Sequence, residues 1–167
     1  MEEMKRPNVL ITGTPGTGKT SLSEQLAERC GLALVNVGKL VEEQGLHTGR
    51  DEARQAWIMD EDALMDSLED QMAGGGVCVD YHGCDFFPER WFDVVVCLRA
   101  DNTVLYDRLS ARGYAASKVQ ENVQAEIMQV VVESARESYR PEVLMELQSD
   151  TLEQMEDNVE LVAARLA

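Results

Sequence analysis

An α/β fold with a mainly parallel sheet is predicted by three features of the chain. Short apolar runs of strand length alternate with segments of helical period. Glycines or capping residues stand at most junctions, and 167 residues with 44% apolar content suffice for a single domain with one core. The first strand is Val9-Leu10-Ile11. A helix follows over Ser21 to Cys30, with Leu22, Leu26, Ala27 and Cys30 on one face and Gly31 as its C-cap. Ala33-Leu34-Val35 reads as the second strand.

Residues 36–59 are polar and mixed, interrupted by Gly38, Gly45 and Gly49, with a short helical stretch around Leu40-Val41 and no sustained period. That pattern suits a small mobile subdomain inserted between strand and helix. Asp60 can cap the next helix, whose apolar positions are Leu64, Leu68 and Met72, and Gly74-Gly75-Gly76 ends it. Val77-Cys78-Val79 is the third strand, and Val94-Val95-Val96-Cys97-Leu98 is the clearest buried strand of all. A helix starts at Asn102 and stops near Gly113. Ser117-Lys118-Val119-Gln120 has capping-box form and predicts a long helix, carrying Val119, Val123, Ile127, Val130 and Val131, to about Tyr139. Pro141 to Leu147 reads as a short helix and a fifth strand passes near Gln148. Asp150-Thr151-Leu152-Glu153 caps a last helix with Leu152, Met155, Val159, Val162 and Leu166 on one face.

The chemistry is concentrated in Gly13-Thr14-Pro15-Gly16-Thr17-Gly18-Lys19-Thr20, which fits G-x-x-x-x-G-K-[ST] and lies between a strand and a helix. Glycines let the backbone curl so that its N–H groups face phosphate, and the new helix adds its positive end. Lys19 can reach the outer phosphates, and the Thr20 hydroxyl suits a Mg²⁺ ligand. A nucleotide-binding protein is expected. Asp80 stands at the end of a neighbouring strand, where an acid that organises Mg²⁺ belongs, although a strand-end aspartate also caps turns. His82 could position an attacking water or hydroxyl, sense the γ-phosphate, or be a hydrogen-bonded loop histidine. Arg108 and Arg112 are four apart on one helix and can clamp a transferred phosphoryl group, or pair with Asp101 and Asp107. Their helix leads into Gly113-Tyr114-Ala115-Ala116, which has the look of a lid.

Thirty-one acidic residues against fifteen basic ones give a net charge of −16, which argues against this chain alone gripping nucleic acid. The acidity favours a basic protein partner, or simply solubility. Cys30, Cys78, Cys84 and Cys97 have no zinc or C-x-x-C spacing and read as structural thiols, Cys84 being the one beside the site. No stretch has the length of a membrane span, and Met1-Glu2-Glu3-Met4-Lys5-Arg6 lacks signal-peptide character, so an intracellular chain is expected. Asp80-Tyr81-His82-Gly83 also matches the D-x-x-G of a GTPase, but nothing resembles N-K-x-D.

The loop Gly13 to Thr20 appears together with Asn36-Val37-Gly38, Asp80-Tyr81-His82-Gly83-Cys84-Asp85-Phe86-Phe87-Pro88-Glu89-Arg90-Trp91 and Arg108-Leu109-Ser110-Ala111-Arg112-Gly113-Tyr114. In this combination the chain resembles the adenylate kinase isoenzyme 6 family, also called coilin-interacting nuclear ATPases, over essentially its whole length. The resemblance implies an adenylate-kinase fold with a five-stranded parallel core, an NMP-binding region at 36–59 and a short lid from Ala111 to about Glu121. It implies an ATP:AMP phosphotransferase with ATPase activity, working with Mg²⁺ in maturation of the small ribosomal subunit and its 18S rRNA. Association with a basic small-subunit ribosomal protein, in nucleus and cytoplasm, is further implied, and the chain itself is expected to be a monomer. Carried over residue by residue, Gly16, Gly18, Lys19, Thr20 and Ser21 hold ATP phosphates, and Asp80 and His82 form a Walker-B-like pair. Arg108 falls near the adenine and Arg112 on the phosphates.

The chain departs from metabolic adenylate kinases in two places. Glu42 stands where they have an arginine on the first NMP-region helix, and the helix after the lid offers only the distant Arg136. Arg50, Arg54 and Arg90 are the candidates to replace those contacts, and atypical AMP phosphorylation with ATP hydrolysis as the used reaction is the expectation.

Overall fold

The computed structural model describes residues 6–51 and 56–167, with the backbone alone for residues 50, 51, 56 and 57. In chain order the first half comprises β1 (Val9–Gly13), α1 (Lys19–Cys30), β2 (Ala33–Asn36), α2 (Val37–Gln44), β3 (His47–Asp51), β4 (Ala56–Met59), α3 (Glu61–Gly74) and β5 (Val77–Asp80). A single turn at Glu89–Trp91 leads into β6 (Val94–Arg99), α4 (Asn102–Ala111), α5 (Ala116–Ile127), α6 (Val130–Ser138), β7 (Leu144–Gln148) and α7 (Leu152–Leu166).

Five strands form a parallel sheet in the order β2-β5-β1-β6-β7. Buried on both faces, β1, β5 and β6 need no polar alternation, which explains their continuous apolar runs. Val9 and Ile11 with Val94, Val96 and Leu98 face Leu22 and Leu26 of α1 and Val159 and Val162 of α7. Leu10, Val79, Val95 and Cys97 face the other way, onto Val41 of α2, Leu68 and Met72 of α3, and Val132 and Ala135 of α6. Each large aliphatic side chain buried this way contributes about 1.5–3 kcal/mol relative to exposure. A smaller cluster of Ala100, Leu105, Leu109 and Val119 joins α4 to α5. Among the described residues no helix is long and apolar enough to cross a membrane.

Most helix starts follow the expected chemistry. Asp60 accepts from the Ala63 N–H at 3.1 Å to cap α3, and Thr151 accepts from Gln154 N–H at 3.1 Å to cap α7. Three expectations are corrected. The long helix to Tyr139 is two helices, because Gln129 adopts φ +59° between α5 and α6. Ser117 is not its cap: it lies inside α5, behind Ala115, which makes no side-chain cap. Beyond the break, Val132 and Ala135 of α6 pack in the core against the sheet.

The short helix expected over Pro141 to Leu147 is instead a turn followed by strand β7. Val95 N–H donates to Val143 O at 2.8 Å and draws the segment into parallel pairing with β6. Sheet pairing there overrides local spacing, and the fifth strand starts four residues before Gln148. Within 36–59 the described residues form α2 and an antiparallel β3–β4 pair.

At the opposite end of the sheet from the glycine loop, fully buried Asn8 ties three elements together. Its amide donates to Met72 O and Trp91 O, both at 2.9 Å, and its oxygen accepts from Val77 N–H at 3.0 Å. Truncation strands these groups without water, so Asn8→Ala is expected to lower unfolding stability by about 2–4 kcal/mol in denaturant titration. A loss below about 1 kcal/mol would show that solvent replaces the amide.

Candidate nucleotide-binding site

Strand β1 ends at Gly13, where an added Cβ would lie 2.6 Å from Thr17 Oγ1 and 2.8 Å from Leu98 O. At Gly16, with φ +94°, it would lie 2.7 Å from Leu105 Cδ1 of α4. Side chains are thus excluded where the loop presses against its neighbours. Gly18 precedes α1 and no side chain caps that helix, which leaves the N–H groups of its first turn for a ligand. Ser149 and Met155, from the start of the β7–α7 turn and from α7, stand close behind Gly18.

Within the loop the Thr14 carbonyl is the gathering point. It accepts from Thr17 N–H at 3.2 Å, Thr17 Oγ1 at 2.7 Å and Lys19 Nζ at 3.2 Å. Burial pushes Lys19 down to about 8, opposed by the Asp80 charge and assisted by that of Arg112. Ser21 is exposed on the first turn of α1 and Pro15 is half-buried in the loop.

Asp80 ends β5 opposite Ile11 of β1, which carries its carboxylate to the mouth of the loop. Its Oδ2 accepts from Thr20 Oγ1 at 2.8 Å and from Asn36 Nδ2 at 3.2 Å. Burial raises its pKa, while the Thr20 bond and Lys19 pull the other way. A hydroxyl and a carboxylate in contact form a hard-oxygen donor set, which fits Mg²⁺ completing its shell with phosphate and water. Among the described residues no group of three or more His, Cys, Asp or Glu could cage a metal. Asn36 escaped the sequence reading as a site residue. Its oxygen also caps α2 by accepting from Lys39 N–H at 3.1 Å, and an asparagine before a helix is the signal that was available.

His82 follows with its ring against Tyr81, centroids 4.3 Å apart, and its carbonyl accepting from Thr12 Oγ1 at 3.0 Å. His82 is exposed, and desolvation inside the site, then Lys19 and Lys118, push it below the ordinary histidine value. Arg108 is half-buried and donates to Gly16 O at 3.3 Å. Arg112 is exposed at the end of α4, near enough for its charge to act on Lys19. Asp101 caps α4 by accepting from Thr103 N–H at 3.0 Å, and neither arginine pairs with it or with Asp107. Beyond Gly113, the Lys118 ammonium lies over the Tyr114 ring, 4.6 Å from its centroid.

Cys84 is buried against Ser134, and burial pushes its thiol up. Arg90 pairs with Glu69 at 3.3 Å, beside the Trp91 carbonyl held by Asn8, and therefore sits at the far end of the sheet from the loop. Arg136 is taken by Glu146 on β7. The Arg50 side chain and Arg54 lie outside the described residues. Sequence reading also passed over Glu126, a buried carboxylate of α5 that touches the loop. One acid amid the polar positions of a helix carries no signal of its own.

Solved structures with similar folds include small-molecule kinases. Shikimate kinase from Bacteroides thetaiotaomicron aligns with a TM-score of 0.66 at 18% identity, covering 96% of this chain and 98% of that one. A gluconokinase from Sinorhizobium meliloti aligns with a TM-score of 0.57 at 16% identity, covering 98% and 93%. At such identities the likeness concerns the fold, that of a P-loop kinase. A family model described as an AAA domain matches residues 9–129. The adenylate kinase isoenzyme 6 homolog of Caenorhabditis elegans is 50% identical over 163 residues, 96% of this chain and 90% of its own. The chain belongs to the adenylate kinase isoenzyme 6 family. The family's homologs in Dictyostelium discoideum and Saccharomyces cerevisiae, the latter called FAP7, are 48% and 47% identical, each over 95% of this chain. They cover 90% and 81% of those proteins' own lengths.

For a nucleotide kinase of this family, the lowered Lys19 value has a consequence for the empty protein. Between about pH 8 and the ordinary lysine value of 10.5 the folded state binds fewer protons than the unfolded chain, so its stability rises with pH. Below pH 8 the buried charge is a full penalty. Lys19→Met is therefore expected to be more stable than the parent by about 1–3 kcal/mol at pH 7 without metal or nucleotide. The advantage should fade toward pH 10.5; urea titrations across that range check it.

Proposed function

We propose that this chain is a Mg²⁺-dependent ATP:AMP phosphotransferase that also hydrolyses ATP. The observation that supports it most is the contact of Thr20 with Asp80 at 2.8 Å, beside a lysine whose ammonium rests on the loop carbonyl of Thr14. Thr20 and Asp80 would hold Mg²⁺, which when bound neutralises charge on the β- and γ-phosphates. Gly13 to Ser21 wraps the phosphates of ATP, and Lys19 leaves the Thr14 carbonyl to meet the γ-phosphate. Arg112 and Arg108 approach from α4, Arg112 toward the transferring group and Arg108 toward the base. Residues 36–59 form the NMP-binding region, and the lid runs from Ala111 to about Glu121. His82 orients the attacking water when hydrolysis replaces transfer.

Purified protein given ATP and Mg²⁺ should form ADP from AMP without matching phosphate release. Lys19→Ala should lower turnover about 10²–10³-fold, and chelation of Mg²⁺ should abolish it. Phosphate release that ignores AMP would reduce the activity to ATP hydrolysis.

A second reading draws on the net charge of −16 and on Glu42 in place of an arginine. On this reading the chain is an ATPase assembly factor for the small ribosomal subunit. As a monomer in nucleus and cytoplasm, it grips a basic small-subunit protein according to its nucleotide state. Binding to such a protein should weaken steeply between about 50 and 300 mM salt and change on adding ATP. Binding indifferent to both would remove this reading.

A further inference from the structure

Thr14 occupies a position where the loop motif accepts any residue, yet its side chain is buried and bonded. The residue is 1% exposed and its hydroxyl donates to Glu126 Oε1 at 2.8 Å, across 112 positions of sequence. Glu126 is equally enclosed, at 2% exposed. Its Oε2 accepts from Arg99 Nε at 2.9 Å and from Ala100 N–H at 3.0 Å, while its backbone carbonyl accepts from Arg99 Nη2 at 3.2 Å. One carboxylate thus joins the glycine loop, the end of β6 and the last turn of α5, the helix that begins inside the proposed lid.

A purely structural ion pair with Arg99 would need only Oε2. The other oxygen faces the loop, and the residue it holds carries the carbonyl on which Thr17 and Lys19 converge. Any shift of Thr14 therefore moves the resting place of the lysine ammonium. The break at Gln129 follows directly, with Gln129 N–H donating to Glu126 O at 3.0 Å, so the end of α5 is fixed from both sides.

We propose that Glu126 is a positioning residue that sets the shape of the phosphate loop through the Thr14 hydroxyl and so keeps Lys19 within reach of ATP. The inference rests on the nucleotide reading above and deepens it. It touches the ATP side of the site only, and the acceptor side should be indifferent to it.

Glu126→Ala risks unfolding because Arg99 would lose its buried partner. The test therefore uses Thr14→Val, which keeps the shape and removes the donor, and Thr14→Ser, which keeps the donor. The readouts are calorimetric Kd for a non-hydrolysable Mg²⁺·ATP analogue, KM for ATP and for AMP, and the thermal midpoint. Thr14→Val should weaken analogue binding and raise KM for ATP about tenfold, leaving KM for AMP within about twofold, and Thr14→Ser should restore parental values. A Thr14→Val protein that melts lower yet binds the analogue as the parent does would overturn the inference, leaving a structural bond only. Equal losses in the valine and serine variants would overturn it too, since the hydroxyl would not be the cause. If the parent itself binds no ATP analogue, the nucleotide reading falls and this inference with it.

Discussion

Strand β1 runs between β5 and β6, with Ile11 beside both Asp80 and Val96, and the parallel register of these three strands determines where everything else in the site can be. Because all three point the same way, their C-terminal ends emerge at one edge. The glycine loop leaves β1 there, Asp80 ends β5 there, and Arg99 ends β6 there. An antiparallel neighbour would have sent one of these residues to the far edge, where Asn8 and Arg90 sit instead. A ligand crevice at the carboxyl ends of parallel strands is the general outcome of such a sheet.

The site that results gathers groups of both charges in a small space. A half-buried lysine rests on a backbone carbonyl. Asp80 accepts from Thr20 and Asn36, and among the described residues no ion pair joins Arg108 of α4 or Arg112 at its end to a neighbouring acid. Phosphate and a divalent cation would satisfy both at once. Charge placed in advance, in a region partly removed from water, is also what stabilises a transferring phosphoryl group.

The same economy appears in the supports behind the site. Asn36 caps α2 and contacts Asp80 with one side chain, linking the inserted region 36–59 to the proposed metal position. Glu126 links the helix after Gly113 to the loop and to β6. Each joins a segment expected to move with substrate to a group expected to touch ATP, so packing and chemistry use the same atoms.

Local sequence determined a great deal of this. The strands Val9-Leu10-Ile11 and Val94 to Leu98, the glycine loop, and the caps at Asp60 and Thr151 follow from apolar runs, glycine spacing and side-chain capping, each a short-range effect. The candidates Lys19, Thr20 and Asp80 came from motif and strand-end position, and Arg108 from its spacing of four to Arg112 on one helix. Tertiary structure decided the rest. Leu144–Gln148 became a strand by pairing with β6, and α5 and α6 separate at Gln129, whose φ is positive, with Val132 and Ala135 of α6 packed in the core. Arg90 went to the wrong end of the sheet for the role considered, and Asn36 and Glu126 acquired theirs through contacts spanning 44 and 112 positions. A pattern read over one or two turns of chain contains periodicity and capping but no information about which distant donor an oxygen will meet. That depends on the register of the sheet and on how the helices close over it.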